Sequence, residues 1–270
     1  MPFLETEPGV ALHFEESGHG PPLVLVHGWS MSCRAFTWQL EGLAASRHVV
    51  AVDLRGHGDS TSLADLGHTI EDHARDLCAL FAGLGLARTA LVGWSMGAQV
   101  ALEALPALGK RVVALGLLSA TPCFTSRRDW PHGLPEPSVR ALLARLAHRP
   151  EKALQRFFGA MFQPGEIDEK RRAEIEERTA HSPPALAPLR AALEALIAAD
   201  QRSRLREVKV PTLLIHGECD PICLPGASSF AASHIRGARR LLLPGVGHAP
   251  QLSRPELVNE LLLRFLSEAW

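Results

Sequence analysis

The chain has 270 residues, of which 46% are hydrophobic and 21% charged, with a formal net charge of −1; that length is enough for one domain with an insertion. The charge balance excludes a globally basic nucleic-acid binder, and no apolar run approaches the roughly 18 residues of a membrane helix. The first ten residues, MPFLETEPGV, lack the basic and apolar stretches of a secretory signal, and the five cysteines (Cys33, Cys78, Cys123, Cys219 and Cys223) are scattered and odd in number, so a reduced, cytoplasmic protein without a disulfide framework is expected.

In chain order, VALHF (10–14) alternates apolar and polar residues and predicts an antiparallel edge strand. PLVLVHG (22–28) is a continuous apolar run ending in glycine, the pattern of a strand buried on both faces. HVVAVDLRGHG (48–58), TALVGW (89–94), RVVALGLLSA (111–120), PTLLIHGECD (211–220) and RRLLLPGVGH (239–248) repeat that form. Between them, residues 69–84 and 255–269 carry apolar residues at spacings of three and four, predicting helices, the first opened by Thr69 with Asp72 three residues on. The alternation predicts an α/β fold, a mostly parallel central sheet flanked by helices.

Residues 122–207 break this pattern and read as helices only: 137–147, 150–162, 167–180 and 185–201, separated by prolines. They predict an all-helical cap, or lid, inserted into a core formed by 1–121 and 208–270.

LVGWSMGAQVAL (91–102) places Ser95 between a strand and a helix predicted over 96–105, with Gly93 and Gly97 permitting a sharp turn. Such a turn projects the serine from the carboxyl end of the sheet, where open α/β sheets bind ligands. A serine nucleophile needs a base, and the base needs an orienting acid. GECDP puts Asp220 just after one strand and GVGHAP puts His248 just after the next, in the order Ser, Asp, His. His27, His57 and His216 also precede glycines near strand ends, and Asp53 is the other acid considered, but these lack that order. Acyl transfer also needs oxyanion donors, for which the amides of Met96 and Trp29 are the candidates. Cys219 and Cys223 lack a second pair at metal-site spacing, so no metal is expected.

VHGWS, VDLRGHGDS, GWSMG, GECDP and GVGHAP together resemble the landmarks of the α/β-hydrolase fold superfamily. A narrower resemblance, to the pimeloyl-[acyl-carrier protein] methyl ester esterases of biotin synthesis, rests on HGWS, on LVGWSMGAQVA and on SATPCFTSRRDWPHG (119–133). LQRFFGAMF (154–162) also looks like that family's pocket-lining segment. The resemblance implies hydrolysis of a carrier-bound methyl ester with no cofactor, and an acyl-carrier protein as partner.

Within 150–162, Leu154, Phe157, Phe158, Met161 and Phe162 share one helical face, with Lys152 and Arg156 opposite. The apolar face, with Trp29, is expected to line a substrate pocket and the basic face to meet an acidic carrier. Lys170, Arg171 and Arg172 form a second basic cluster, with Glu174 and Glu176 four residues after Lys170 and Arg172; Arg127 and Arg128 lie at the start of the cap. A monomer free of nucleic acid and membrane is expected. The alternatives are a broad short-chain carboxylesterase on the same triad and a non-catalytic receptor binding a small molecule beneath the cap.

Overall fold

The structure is a computed structural model describing residues 2–63, 65–180 and 185–269. Its strands are β1 (Phe3–Glu7), β2 (Val10–Ser17), β3 (Pro22–Val26), β4 (His48–Val52), β5 (Thr89–Trp94), β6 (Val112–Leu118), β7 (Thr212–Gly217) and β8 (Arg239–Leu243). The helices are α1 (Thr37–Leu43), α2 (Ile70–Gly83), α3 (Met96–Leu108), α4 (Glu136–His148), α5 (Pro150–Gly159), α6 (Glu169–Thr179), α7 (Leu186–Ala198), α8 (Pro225–His234), α9 (Pro250–Ser253) and α10 (Pro255–Ala269).

The strands form one sheet in the order β1-β2-β4-β3-β5-β6-β7-β8. β1 and β2 are antiparallel to their neighbours, and every pairing from β4 to β8 is parallel. Every residue of β5 and β7 is buried, because α1 packs with α10 and α2 with α3 to cover both faces of the sheet. The Thr69–Asp72 capping box is formed: each side chain takes the other residue's backbone N–H.

Two expectations need correction. The edge strand is β1, not 10–14; β2 lies second from the edge, hydrogen-bonded on both sides. Gly9, at φ 82°, turns β1 back along it. The predicted strands also run too long at their carboxyl ends, because His27-Gly28 and Asp53-Leu54 already turn into loops that the apolar pattern does not distinguish from strand.

Between β6 and β7 the chain carries α4–α7. Its first part is not helical: Thr125 bridges Leu134, Arg127 bridges Trp130, and Trp130 Nε1 donates to the Cys123 carbonyl at 2.9 Å. Proline and glycine in RDWPHGLP favour this turn over a helix. Among the described residues no helix is long and apolar enough to cross a membrane.

Candidate active site

Ser95 occupies the turn from β5 into α3 with φ 54° and ψ −116°, a backbone conformation that side chains other than glycine rarely adopt. The surroundings hold it there. A Cβ on Gly97 would meet the Val26 and His27 carbonyls, and one on Gly93 would meet the backbone of Gly97 and Ala98. Gly28 brings the neighbouring loop against Ser95 Cβ and the Trp94 ring. The predicted tight turn is therefore formed, and only glycine permits its close backbone approaches.

Asp220 follows β7, and its carboxylate is almost fully enclosed. Oδ1 accepts the amides of Ile222 (2.8 Å) and Cys223 (2.9 Å), and Oδ2 accepts Nδ1–H of His248 at 2.8 Å. His216 Nε2, which donates to the Cys223 carbonyl at 2.7 Å, also faces Oδ2 at 3.3 Å. Burial alone would raise the Asp220 pKa, but the two histidines outweigh it and hold the group well below the ordinary carboxylate range. A carboxylate only accepts, so the His248 proton sits on Nδ1 and leaves the Nε2 lone pair available.

His248 is held on three sides. Its amide donates to the Met161 carbonyl at 2.7 Å, its carbonyl accepts Trp94 Nε1–H at 2.9 Å, and its ring lies 5.6 Å from the Trp94 ring. The tryptophan before Ser95 thereby ties the serine turn to the histidine loop. Ser95 Oγ lies 3.9 Å from Cys223 Sγ, and among the described residues it makes no hydrogen bond to His248. Such bonds are often long without substrate.

The other polar candidates are committed elsewhere. Asp53 accepts from His13 Nδ1 (2.8 Å) and from the amides of Cys33 (2.6 Å) and Asp59 (2.9 Å). Burial pushes its carboxyl up, but these bonds and nearby His27 prevail and hold its pKa at about 2. His27 Nε2 accepts the Leu54 amide, and His57 Nδ1 bonds the Arg55 carbonyl. Cys219 is exposed while Cys223 is buried; burial first, then Asp220, raises the Cys223 thiol well above its ordinary pKa. The proximity of Cys223 to Ser95 has no sequence motif.

Met96 opens α3, where the first N–H groups have no partner within the helix. No hydrogen bond from the amide of Trp29 or Met96 to a protein acceptor is found among the described residues. Trp29 is buried; its Nε1–H donates to the Leu189 carbonyl on α7 at 2.8 Å, and its ring meets Phe157 edge-on at 4.9 Å.

Along 150–159 Lys152 and Arg156 are exposed while Leu154, Phe157 and Phe158 pack against the core, but the single helical face does not extend to 162. The helix ends at Gly159, so Met161 and Phe162 lie in the turn beyond it. Phe157 lines the same groove, about 390 Å³, as Lys152 and Arg156; Arg145 and Arg149 complete a basic rim over Leu142 and Ala153. Phe158 instead packs on Phe162, with ring centroids 5.6 Å apart.

Lys170 is exposed, but Arg171 donates to the Leu252 carbonyl (2.7 Å) and stacks on Trp38, and Arg172 lies over Phe162. Glu174 pairs with Arg171 and Arg178 rather than Lys170. Arg127 donates to the Ala198 carbonyl, while Arg128 is exposed.

Residues 23–261 match the alpha/beta hydrolase family. A pimeloyl-[acyl-carrier protein] methyl ester esterase of Nitrosomonas europaea is 34% identical over 247 residues, 91% of this chain and 96% of that relative. One of the same name from Nitrosospira multiformis is 31% identical over 261 residues, 95% of this chain and 98% of that relative. Among solved structures, an esterase from Exiguobacterium antarcticum superposes with a TM-score of 0.91 at 27% identity, covering 98% of both chains.

Proposed function

We propose that this chain, which belongs to the alpha/beta hydrolase family and is an esterase, hydrolyses the methyl ester of a pimeloyl chain carried on acyl-carrier protein. The relatives bearing that name support the substrate. The observation that carries the chemistry is the 2.8 Å bond between Asp220 and His248 beside the strained turn of Ser95.

Ser95 Oγ attacks the ester carbonyl carbon as His248 Nε2 takes its proton, and Asp220 stabilises the imidazolium that results. The Met96 and Trp29 amides hold the oxyanion, a contribution of roughly 2.7–4 kcal/mol for a single donor in comparable sites. Collapse breaks the bond to the methoxy oxygen, which takes the proton from His248 and leaves as methanol. Water then attacks the acyl-serine, giving its proton to His248. The second collapse returns the proton to Ser95 and frees the pimeloyl carboxylic acid, which gives its remaining proton to water.

The carrier docks at the groove between α4 and α5, with Arg145, Arg149, Lys152 and Arg156 facing its acidic surface and Phe157 leading inward to Trp29. Helices α4–α7 thus act as the cap. A broad short-chain carboxylesterase is the second reading, favoured by the likeness to the Exiguobacterium esterase.

Turnover of pimeloyl-carrier methyl ester against p-nitrophenyl acetate separates the two. Ser95→Ala is expected to abolish both activities. Lys152→Glu with Arg156→Glu is expected to raise KM for the carrier ester about tenfold, the equivalent of roughly 1.4 kcal/mol. Added salt should weaken the unaltered pair, while the acetate remains unaffected. Indifference of the carrier ester to charge and salt overturns the docking reading, and full activity in Ser95→Ala overturns the nucleophile.

A further inference from the structure

The turn between α5 and α6 reaches both loops that carry the acid and the base. Besides the Met161 carbonyl on the His248 amide, Glu166 Oε2 accepts the amide of Gly247 at 2.9 Å. The same oxygen accepts the amide of Gln163 at 2.7 Å, closing the turn on itself. Gln163 Nε2 in turn donates to the carbonyl of Cys219, the residue before Asp220, at 2.6 Å. A Cβ on Gly247 would meet the Met161 carbonyl, so glycine there lets the two segments close to backbone contact.

Glu166 is only 6% exposed, and its carboxylate is satisfied by backbone amides on one oxygen while Oε1 has no partner among the described residues. Burying a carboxylate on so few bonds is costly, and for cap packing alone an apolar side chain would serve better. Its position on the Gly247 amide, one residue before His248, gives it a specific effect. Arg254 Nη1 anchors the Glu166 carbonyl from the start of α10 at 3.0 Å, so the turn is braced against the core as well as against the histidine loop.

We propose that Glu166 is a positioning residue: through the Gly247 amide it sets the loop that aims His248, and so makes the imidazole's orientation depend on how the inserted helices are seated. This rests on the reading of His248 as the base of the ester hydrolysis above. Because Glu166, Met161 and Gln163 share one turn with the end of α5, a substrate seated against Phe157 acts on the same segment that holds the base.

The test uses the full chain with Glu166→Ala, Glu166→Gln and Glu166→Leu. Three quantities are measured: kcat and KM for p-nitrophenyl acetate, the thermal midpoint, and the low-field proton resonance of His248 Nδ1–H with its rate of exchange with water. Glu166→Ala is expected to lower kcat by about 10- to 100-fold with little change in KM, and to broaden the resonance by faster exchange. Glu166→Gln, which keeps an acceptor oxygen, is expected to restore most of kcat and the resonance. Glu166→Leu keeps the volume without the acceptor and gives the same reading if the alanine variant does not fold.

An unchanged resonance in Glu166→Ala and Glu166→Leu overturns the proposal, even if activity falls. So does a broadened resonance with wild-type kcat. Full turnover in Ser95→Ala removes Ser95 as the nucleophile instead, and the resonance then still decides whether Glu166 positions His248.

Discussion

Asp220 accepts from the His248 imidazole and two backbone amides, with His216 Nε2 3.3 Å away, so an amide in its place keeps the shape of the site while inverting one bond. In Asp220→Asn the new NH₂ group can donate to His248 Nδ1, which moves the imidazole proton to Nε2, where the ring cannot accept from Ser95. Asp220→Asn is therefore expected to lower kcat by roughly 10⁴-fold, as the equivalent change does in other serine triads, with KM nearly unchanged. Steady-state kinetics check this, and a loss confined to KM would mean that Asp220 shapes the pocket rather than the tautomer. At this scale, Ser95, Asp220 and His248 are legible in the sequence because each sits in a short glycine-containing turn at a strand end, where the chemistry of the turn is local. His216 reads there only as a rival base; its ring lies beside Asp220 because the loop after β7 folds back on the end of that strand. Glu166 has no sequence signal at all, since its partner Gly247 is 81 residues away and the contact exists only once the inserted helices are seated.

Helix α7 is attached to the core loop through a side chain, the Trp29 indole on the Leu189 carbonyl, and the same ring supports Phe157 of α5. Trp29→Phe removes the N–H while keeping an aromatic ring, so it loosens the seating of the helices without emptying the site. The lost bond is worth about 0.5–1.5 kcal/mol, and the thermal midpoint is expected to fall by roughly 1–6 °C for a domain of this size. KM for a long-chain ester is expected to rise more than kcat falls; a loss of kcat at constant KM would place the indole in the chemistry instead. The strands β3 to β7 are legible because strands buried on both faces write continuous apolar runs. β1 escapes the pattern because its residues are exposed or only half-buried, leaving no apolar run to read. The end of α5 misleads for another reason. Periodicity continues through Met161 and Phe162, but Gly159 is a poor helix residue with Pro164 close behind. The chain leaves the helix there, and the Met161 carbonyl becomes free to hold His248.

Across the whole molecule, acid sensitivity is written into a row of buried histidines beneath the β3 and β4 loops. The rings of His27 and His57 lie 5.3 Å apart, those of His57 and His73 6.2 Å, and those of His68 and His73 6.3 Å. Burial foremost, and His27 next, push the His57 pKa down to about 3. Burial, then His57, His68 and Arg55, holds His73 well below its ordinary value, and neither of its ring nitrogens has a hydrogen-bond partner among the described residues. Both stay neutral in the fold while the unfolded chain takes up protons below about 6.5. Stability is thus full above that pH and lost as pH falls toward the depressed folded values. His13 has the opposite sign, because its bond to Asp53 raises its pKa. Its contribution is complete below about 6.5 and fades as pH rises through the raised value, so the two effects place the stability maximum near neutrality. Each depressed histidine costs up to about 1.4 kcal/mol per pH unit below about 6.5, so the decline steepens as pH falls and the two contributions add. Urea unfolding at pH 7, 6 and 5 is expected to show that decline, and His73→Leu to halve its slope below about pH 6.5. A wild-type stability that stays flat from pH 7 to 5 would mean that the folded protein protonates His57 and His73 in place. The buried row would then have to open to water without unfolding, and the loops after β3 and β4, which frame Ser95 and Trp29, would be the first to move.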